Sequence, residues 1–209
     1  VMIIHEWWGL NDYIKMRMRE LARLGYIAMA VDMYGDNKMG NNPQEAQALA
    51  TPFYMNPEKA KPIFDAAMEK IKSYPQTDAT KVVAIGYCFG GTQVLNIAKM
   101  GADLKGVVSF HGGLAGITPD KNKVKADFLV CHGGSDPFVP EAEVANFKKQ
   151  MDSAGIKYDF KVYADATHAF TNPQATEWGK KFNIPVAYNA AADTASWNDM
   201  KAFFNRIFQ

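Results

Sequence analysis

Cysteine is scarce in this chain: only Cys88 and Cys131 occur among 209 residues. Two thiols cannot build a disulfide framework, and these two do not stand at metal-ligand spacing. Histidine is nearly as rare, with four residues and no zinc-site spacing among them, so no catalytic metal and no cofactor are expected. An excess of one charge is missing too. The 23 Lys and Arg against 22 Asp and Glu leave a formal net charge of +1, which offers nothing to draw nucleic acid or an anionic membrane as partner. The basic cluster Lys15, Arg17, Arg19 and Arg23 reads as a solvated helix face. No apolar run reaches the roughly 18 residues that a membrane-spanning helix requires. Repeats, low-complexity tracts and linkers are absent, so residues 1–209 are read as one domain.

What is present points to a globular enzyme working on a small molecule, as a monomer or homodimer. The composition is 48% hydrophobic and 12% aromatic, ordinary for a folded domain. A cytoplasmic setting with reduced thiols is the default expectation. The chain opens on "VMIIH", already a buried-strand run. The expectation is therefore a trimmed or processed start, with any removed N-terminal signal outside this sequence.

Short apolar runs alternate with helical patterns. "VMIIH" (1–5), "IAMAVD" (27–32), "VVAIGY" (82–87), "GVVSFH" (106–111), "DFLVCHG" (127–133) and "YDFKVY" (158–163) read as strands. Their nearly unbroken apolar character predicts a parallel sheet covered on both faces. Helices are predicted from a cap at Asp12 to near Gly25, over about 57–73, after Cys88, over about 140–154, and at the end of the chain. The first turns Ile14, Met18, Leu21 and Ala22 inward. The last carries Met200, Phe203, Phe204, Ile207 and Phe208 at helical spacing, a stripe suited to docking on the sheet. Alternating β and α elements predict an α/β fold with a mostly parallel, doubly wound sheet flanked by helices. The polar stretch 35–57 reads as the longest irregular segment, either a flap over a site or a surface excursion.

The stretch "VVAIGYCFGGTQVLNIA" (82–98) carries the chemistry. Gly86-Tyr-Cys88-Phe-Gly90-Gly91 has the form of a nucleophile elbow, a strand-to-helix turn whose apex residue is strained and whose neighbours have no room for a Cβ. Such a turn lifts the sulfur over the carboxyl ends of the strands, where ligands bind in open α/β sheets. The helix beginning at Phe89 directs its amide N–H groups at that sulfur, a setting that favours thiolate. A thiol nucleophile needs a base, and the base needs an orienting group. "FLVCHGGSDPFVP" supplies Asp136 just past a strand, and "KVYADATHAF" supplies His168 just past another. The order nucleophile, acid, histidine is that of α/β-hydrolases. Cys131 reads as a core thiol. His5, His111 and His132 read as structural residues that satisfy backbone groups near the same rim.

With "IIHEWWGLN", "VVAIGYCFGG", "GGSDPFVP" and "THAF" together, the chain resembles the dienelactone hydrolase family of α/β-hydrolases over essentially its whole length. The resemblance implies Cys88 as nucleophile, His168 as general base and Asp136 as its orienter. It implies that Glu6 is a carboxylate that contacts the resting thiol and helps convert it to thiolate. It also implies an oxyanion hole from the backbone N–H groups of Trp7 and Phe89, and a short strand region ahead of residue 1. Glu6 sits beside Trp7 and Trp8, apolar company that should raise its proton affinity.

Family members that hydrolyse dienelactone hold its carboxylate with two arginines. Here residues 24–205 contain no arginine, and Asn172 stands where the second is expected. Lysine, from Lys38 or Lys59, lacks the bidentate fork. The expected pocket is apolar and aromatic, from Trp7, Trp8, Phe53, Tyr54 and Phe89 together with Asn172, and suited to neutral, activated esters. The resulting expectation is a carboxylic-ester hydrolase for lactones or activated esters, working through an acyl-cysteine intermediate. Thioesters or phosphoesters are the alternative substrates. The alternative from a different class is a non-catalytic scaffold whose Cys88 senses oxidation.

Overall fold

The computed structural model describes all 209 residues. Six strands are present, each within its expected run: β1 (Met2–Ile4), β2 (Met29–Val31), β3 (Val83–Tyr87), β4 (Gly106–Phe110), β5 (Asp127–Gly133) and β6 (Tyr158–Tyr163). They form one parallel sheet in the order β2-β1-β3-β4-β5-β6. Successive side chains leave a strand on opposite faces, and here both faces are buried. Met2, Ile4, Ala84, Val107 and Phe128 join one core, while Ile3, Val83, Ile85, Val108 and Leu129 join the other. That is why the strands read as continuous apolar runs.

Seven helices cover the sheet: α1 (Asp12–Arg23), α2 (Pro43–Met55), α3 (Ala60–Lys72), α4 (Phe89–Lys99), α5 (Glu141–Ser153), α6 (Ala175–Phe182) and α7 (Ala190–Ile207). Tyr13, Ile14 and Leu21 of α1 pack with Met200, Phe203 and Phe204 of α7 on one face. Phe53 of α2, Phe64 and Ile71 of α3, Leu95 of α4 and Phe147 of α5 fill the other. From β1 the chain winds outward to β2, then returns across the sheet to β3 on the far side of β1. Strand ends that part in this way open a crevice at their carboxyl side, and Glu6 and Cys88 follow those two strands.

Four local expectations are corrected. Asn11, not Asp12, caps α1, its side chain accepting from the Ile14 amide. Ala22 is exposed, and the inward positions are Tyr13, Ile14, Arg17 and Leu21. Arg17 is therefore no part of a solvated basic face: it is 4% exposed and donates to Glu20, to the Thr171 carbonyl and to Asp193. The stretch 35–57 is not irregular either, because Asn42 accepts from the Glu45 amide at 2.9 Å and Pro43 starts α2. Both are strong helix-start signals. Helix α6 was not anticipated; its eight residues offer too short a pattern to stand out.

Helix α4 lies against the strand ends with no side chain between. A Cβ on Gly90 would fall 2.2 Å from the Ile4 carbonyl oxygen and 2.7 Å from that of His5. One on Gly86 would fall 2.0 Å from the Gly90 oxygen. These obstacles are backbone and cannot swing aside. Gly90→Ala is expected to cost about 3 kcal/mol or more, the upper range of overpacking. Gly155→Ala, where φ is +65° and the space around is open, should cost only about 1–2 kcal/mol of left-handed strain. Urea unfolding of both variants checks this, and equal losses would refute the steric account of Gly90.

Candidate active site

Cys88 occupies the turn between β3 and α4 with φ 52° and ψ −115°, a conformation costly for a residue with a Cβ. Its amide N–H is shared between the Phe110 carbonyl (3.0 Å) and Nδ1 of His111 (3.1 Å). Because Nδ1 accepts, the proton of His111 sits on Nε2, which donates to Oγ1 of Thr171 at 2.7 Å. Burial holds His111 well below the usual imidazole range, consistent with a neutral ring. His111 thus does structural work for the backbone of Cys88.

The Cys88 sulfur lies 3.0 Å from Nε2 of His168, and Nδ1 of His168 lies 2.8 Å from Oδ2 of Asp136. Oδ1 of Asp136 accepts the Phe138 amide at 2.9 Å, so the same carboxyl both closes a turn and faces the histidine. The Phe138 ring meets His168 edge-on, 5.0 Å between centroids. His168 is buried, which opposes its charged form, but the sulfur and the Asp136 carboxylate outweigh burial and push it up to about 10. Both neighbours thus favour the charged imidazolium.

Glu6 is 2% exposed. Burial pushes it up to about 7, against the opposing pull of the Asn172 amide, His168 and Arg17. Nδ2 of Asn172 donates to Oε2 of Glu6 at 2.7 Å. Glu6 and the thiol line the same cavity without a hydrogen bond between them: the thiol's partner is His168 and the carboxyl's partner is Asn172. The carbonyl of Glu6 accepts from the Gly9 amide at 3.1 Å and, within 2.6 Å, from Nδ1 of His5. Nε2 of His5 accepts the Met33 amide, which puts the proton on Nδ1. Since a trans peptide sets N–H opposite C=O, this fixes the direction of the Trp7 N–H. Neither the Trp7 nor the Phe89 amide donates to another backbone group.

The sulfur opens onto a cavity of about 300 Å³. Glu6, Trp7, Trp8, Tyr54 and His168 line it with Cys88. Three expected pocket residues do not: Phe53, Asn172 and Phe89. Phe53 is core, 5.5 Å from the Phe89 ring centroid, because the helix it stands on turns it inward. Asn172 is fully buried and spends its amide on Glu6. The Phe89 ring is buried too, against Phe53 and Tyr54, leaving only its amide for the site. Sequence reading missed Thr92, Phe138, Glu143 and Trp178 in the cavity wall. Thr92 stands one turn beyond Cys88, a spacing that marks it in retrospect. Trp178 arrives on α6 and meets Trp8 at a tilt of 58°, 4.9 Å between ring centroids; nothing local in the sequence signals that. His132 lies against Phe160. Cys131 is buried, which pushes its thiol up to about 12, as expected of a core cysteine. Residues 1–209 hold no cluster of His, Cys, Asp or Glu arranged for a metal ion.

Known proteins share this arrangement of chain. The family model for the dienelactone hydrolase family matches residues 1–208. "Protein usf" of Aquifex pyrophilus is 32% identical over 98% of this chain and 86% of its own. A solved dienelactone hydrolase-like promiscuous phosphotriesterase from metagenomic libraries is 33% identical. It covers 99% of this chain and 85% of its own with a TM-score of 0.91. The solved protein m3DLH is 32% identical over 100% of this chain and 86% of its own, with a TM-score of 0.93. Fold and sequence agree, and the chain belongs to the dienelactone hydrolase family of α/β-hydrolases, enzymes that act on ester bonds.

Proposed function

We propose that this hydrolase cleaves neutral, activated carboxylic esters by a two-step covalent mechanism in which Cys88 is acylated. One observation carries the reading: sulfur, imidazole and carboxylate form a continuous chain of 3.0 and 2.8 Å at the wall of an apolar cavity. The Cys88 thiolate attacks the ester carbonyl carbon, and the carbonyl electron pair moves onto oxygen. That oxyanion is received by the free N–H groups of Trp7 and Phe89; each such donor is worth about 3–4 kcal/mol. The intermediate collapses, the C–O bond breaks, and the His168 imidazolium protonates the departing alkoxide. His168, now neutral, takes a proton from water as the oxygen attacks the thioester. Collapse expels the Cys88 thiolate, releases the acid and restores the ion pair. Asp136 holds His168 in the tautomer and orientation that both steps need.

The substrate is a small molecule, and the pocket has no lysine or arginine to hold a free carboxylate, which argues against dienelactone itself. A neutral phosphotriester suits the same cavity, which lacks lysine and arginine, and the 33%-identical solved neighbour is named for that activity. Attack by Cys88 on phosphorus would expel the aryloxide and leave a phosphocysteine for water to cleave.

A short p-nitrophenyl ester should be turned over by the native protein, with an acyl mass trapped on Cys88. Cys88→Ala should lose turnover by at least about 10³-fold, the scale of losing a member of such a triad, and carry no adduct. A folded native protein with neither turnover nor adduct would end the esterase reading. p-Nitrophenyl diethyl phosphate, run in parallel, tests the phosphoester reading through a phosphoryl adduct on the same residue.

Glu6 should also write a pH signature into stability. Its folded value is raised from an ordinary 4.5 to about 7, so between those values the folded state holds a proton that the unfolded state has released. Stability contributed by Glu6 is full below pH 4.5 and declines as pH rises through 7. His5, pushed down to about 4 by burial, contributes the opposite slope over part of this window and is common to native protein and variant. Glu6→Gln should therefore gain on the native protein by up to about 1.4 kcal/mol per pH unit across that interval. Urea unfolding at pH 5, 6 and 7 reads this; parallel curves would show that Glu6 ionises normally.

A further inference from the structure

We propose that the pocket selects esters carrying an ammonium cation, held by Glu143 and the surrounding aromatic rings. The inference rests on the ester-hydrolase reading and names the substrate class for that same site.

Glu143 enters the cavity from the first turn of α5. Its Oε1 accepts the backbone N–H groups of Leu114 (2.6 Å) and Ala115 (3.1 Å), which fixes the carboxylate against the β4–β5 loop. Its Oε2 makes no hydrogen bond, and no lysine, arginine or histidine forms an ion pair with it. Lys99 is near enough to feel the Glu143 charge, but its buried ammonium lies over the Phe147 ring, forms no ion pair with Glu143, and is outside the cavity lining. A second polar group stands at the same end. Oγ1 of Thr92 is buried with no well-formed hydrogen bond, and the Tyr54 hydroxyl is near enough to interact with it. A Cβ built on Gly113 would meet the Thr92 oxygen at 3.2 Å and Oε1 of Glu143 at 3.7 Å, so the two polar groups face one spot. Since Thr92 stands one turn beyond Cys88, that spot is a short distance from the sulfur.

The rest of the wall suits the same ligand. Trp7, Trp8, Tyr54, Phe138 and Trp178 all line this cavity. Aromatic faces attract an ammonium ion, most strongly where water is excluded, and recognise quaternary ammonium in this manner. The only cation in the lining is the His168 imidazolium, which is already matched by the sulfur and Asp136. A free carboxylate on the substrate would meet the Glu143 carboxylate, with that one cation of the lining already engaged. The cavity therefore reverses the charge preference implied by two carboxylate-binding arginines.

The test uses p-nitrophenyl esters of matched acyl chains ending in trimethylammonium, in neutral tert-butyl, or in carboxylate, with two to five methylenes before the end group. At the best chain length kcat/KM should follow cation over neutral by at least tenfold, about 1.4 kcal/mol, and neutral over anion. Glu143→Gln keeps an acceptor for Leu114 and Ala115 and should bring the cation-to-neutral ratio toward 1, with thermal unfolding confirming the fold. A neutral ester hydrolysed as well as its cationic partner at every length would overturn this inference alone. A tenfold preference that survives Glu143→Gln would overturn the assignment to Glu143. Absence of turnover and of any Cys88 adduct across the whole set would remove the hydrolase reading, and this inference with it.

Discussion

Everything in the site depends on two backbones that touch. Cys88 reaches its position because α4 begins directly on the ends of β1 and β3, and this is possible only while residues 86 and 90 lack a Cβ. The contact does three things together. It forces Cys88 into its positive-φ turn, brings the start of α4 beneath the sulfur, and holds the peptide after Cys88 close to the segment that follows β1. The two free amides, Trp7 and Phe89, come from these two abutting segments. Their spacing is a property of the sheet and not of flexible side chains.

A second layer of polar contacts holds that geometry from behind. Arg17, buried on α1, binds the Thr171 carbonyl and Asp193 of α7. Oγ1 of Thr171 meets both Tyr13 and His111, and His111 accepts the amide of Cys88. The adjacent Asn172 binds Glu6. One buried arginine is thus tied through two consecutive residues to the backbone of Cys88 and to the carboxyl of Glu6. Loss of one partner in such a network leaves the remaining charge buried and uncompensated, which costs far more than a surface ion pair is worth.

The strands, the elbow and the order Cys88, Asp136, His168 were legible in the sequence because each has a local signature: continuous apolar runs, glycines at fixed offsets, and polar residues just beyond strand ends. What was illegible depends on direction around a helix or on contacts far apart in the chain. Arg17 looks like its neighbours Lys15 and Arg19 until α1 is placed, when its position between Ile14 and Leu21 turns it inward. Phe53 and Tyr54 are adjacent aromatics on α2, yet one enters the core and the other the cavity. Glu143 and Trp178 lie on helices with no catalytic pattern, and only the fold brings them to the sulfur. The segment 35–57 shows a different lapse: Asn42, Pro43 and Glu45 together spell a helix start, but the surrounding polar composition masked it.

Position 172 shows how the pocket's preference changes without any change of fold. The resemblance places a substrate-binding arginine here, whereas Asn172 turns its short amide inward to Glu6. A guanidinium at this point would supply a cation and a long reach; the asparagine supplies one internal hydrogen bond. The residue thereby passes from recognising substrate to setting the protonation of a buried carboxyl, since its N–H favours the charged form that burial opposes. The cavity wall itself comes from both kinds of segment: Trp7, Trp8 and Phe138 follow the same strand ends as Glu6 and Asp136, whereas Tyr54, Glu143 and Trp178 arrive on α2, α5 and α6.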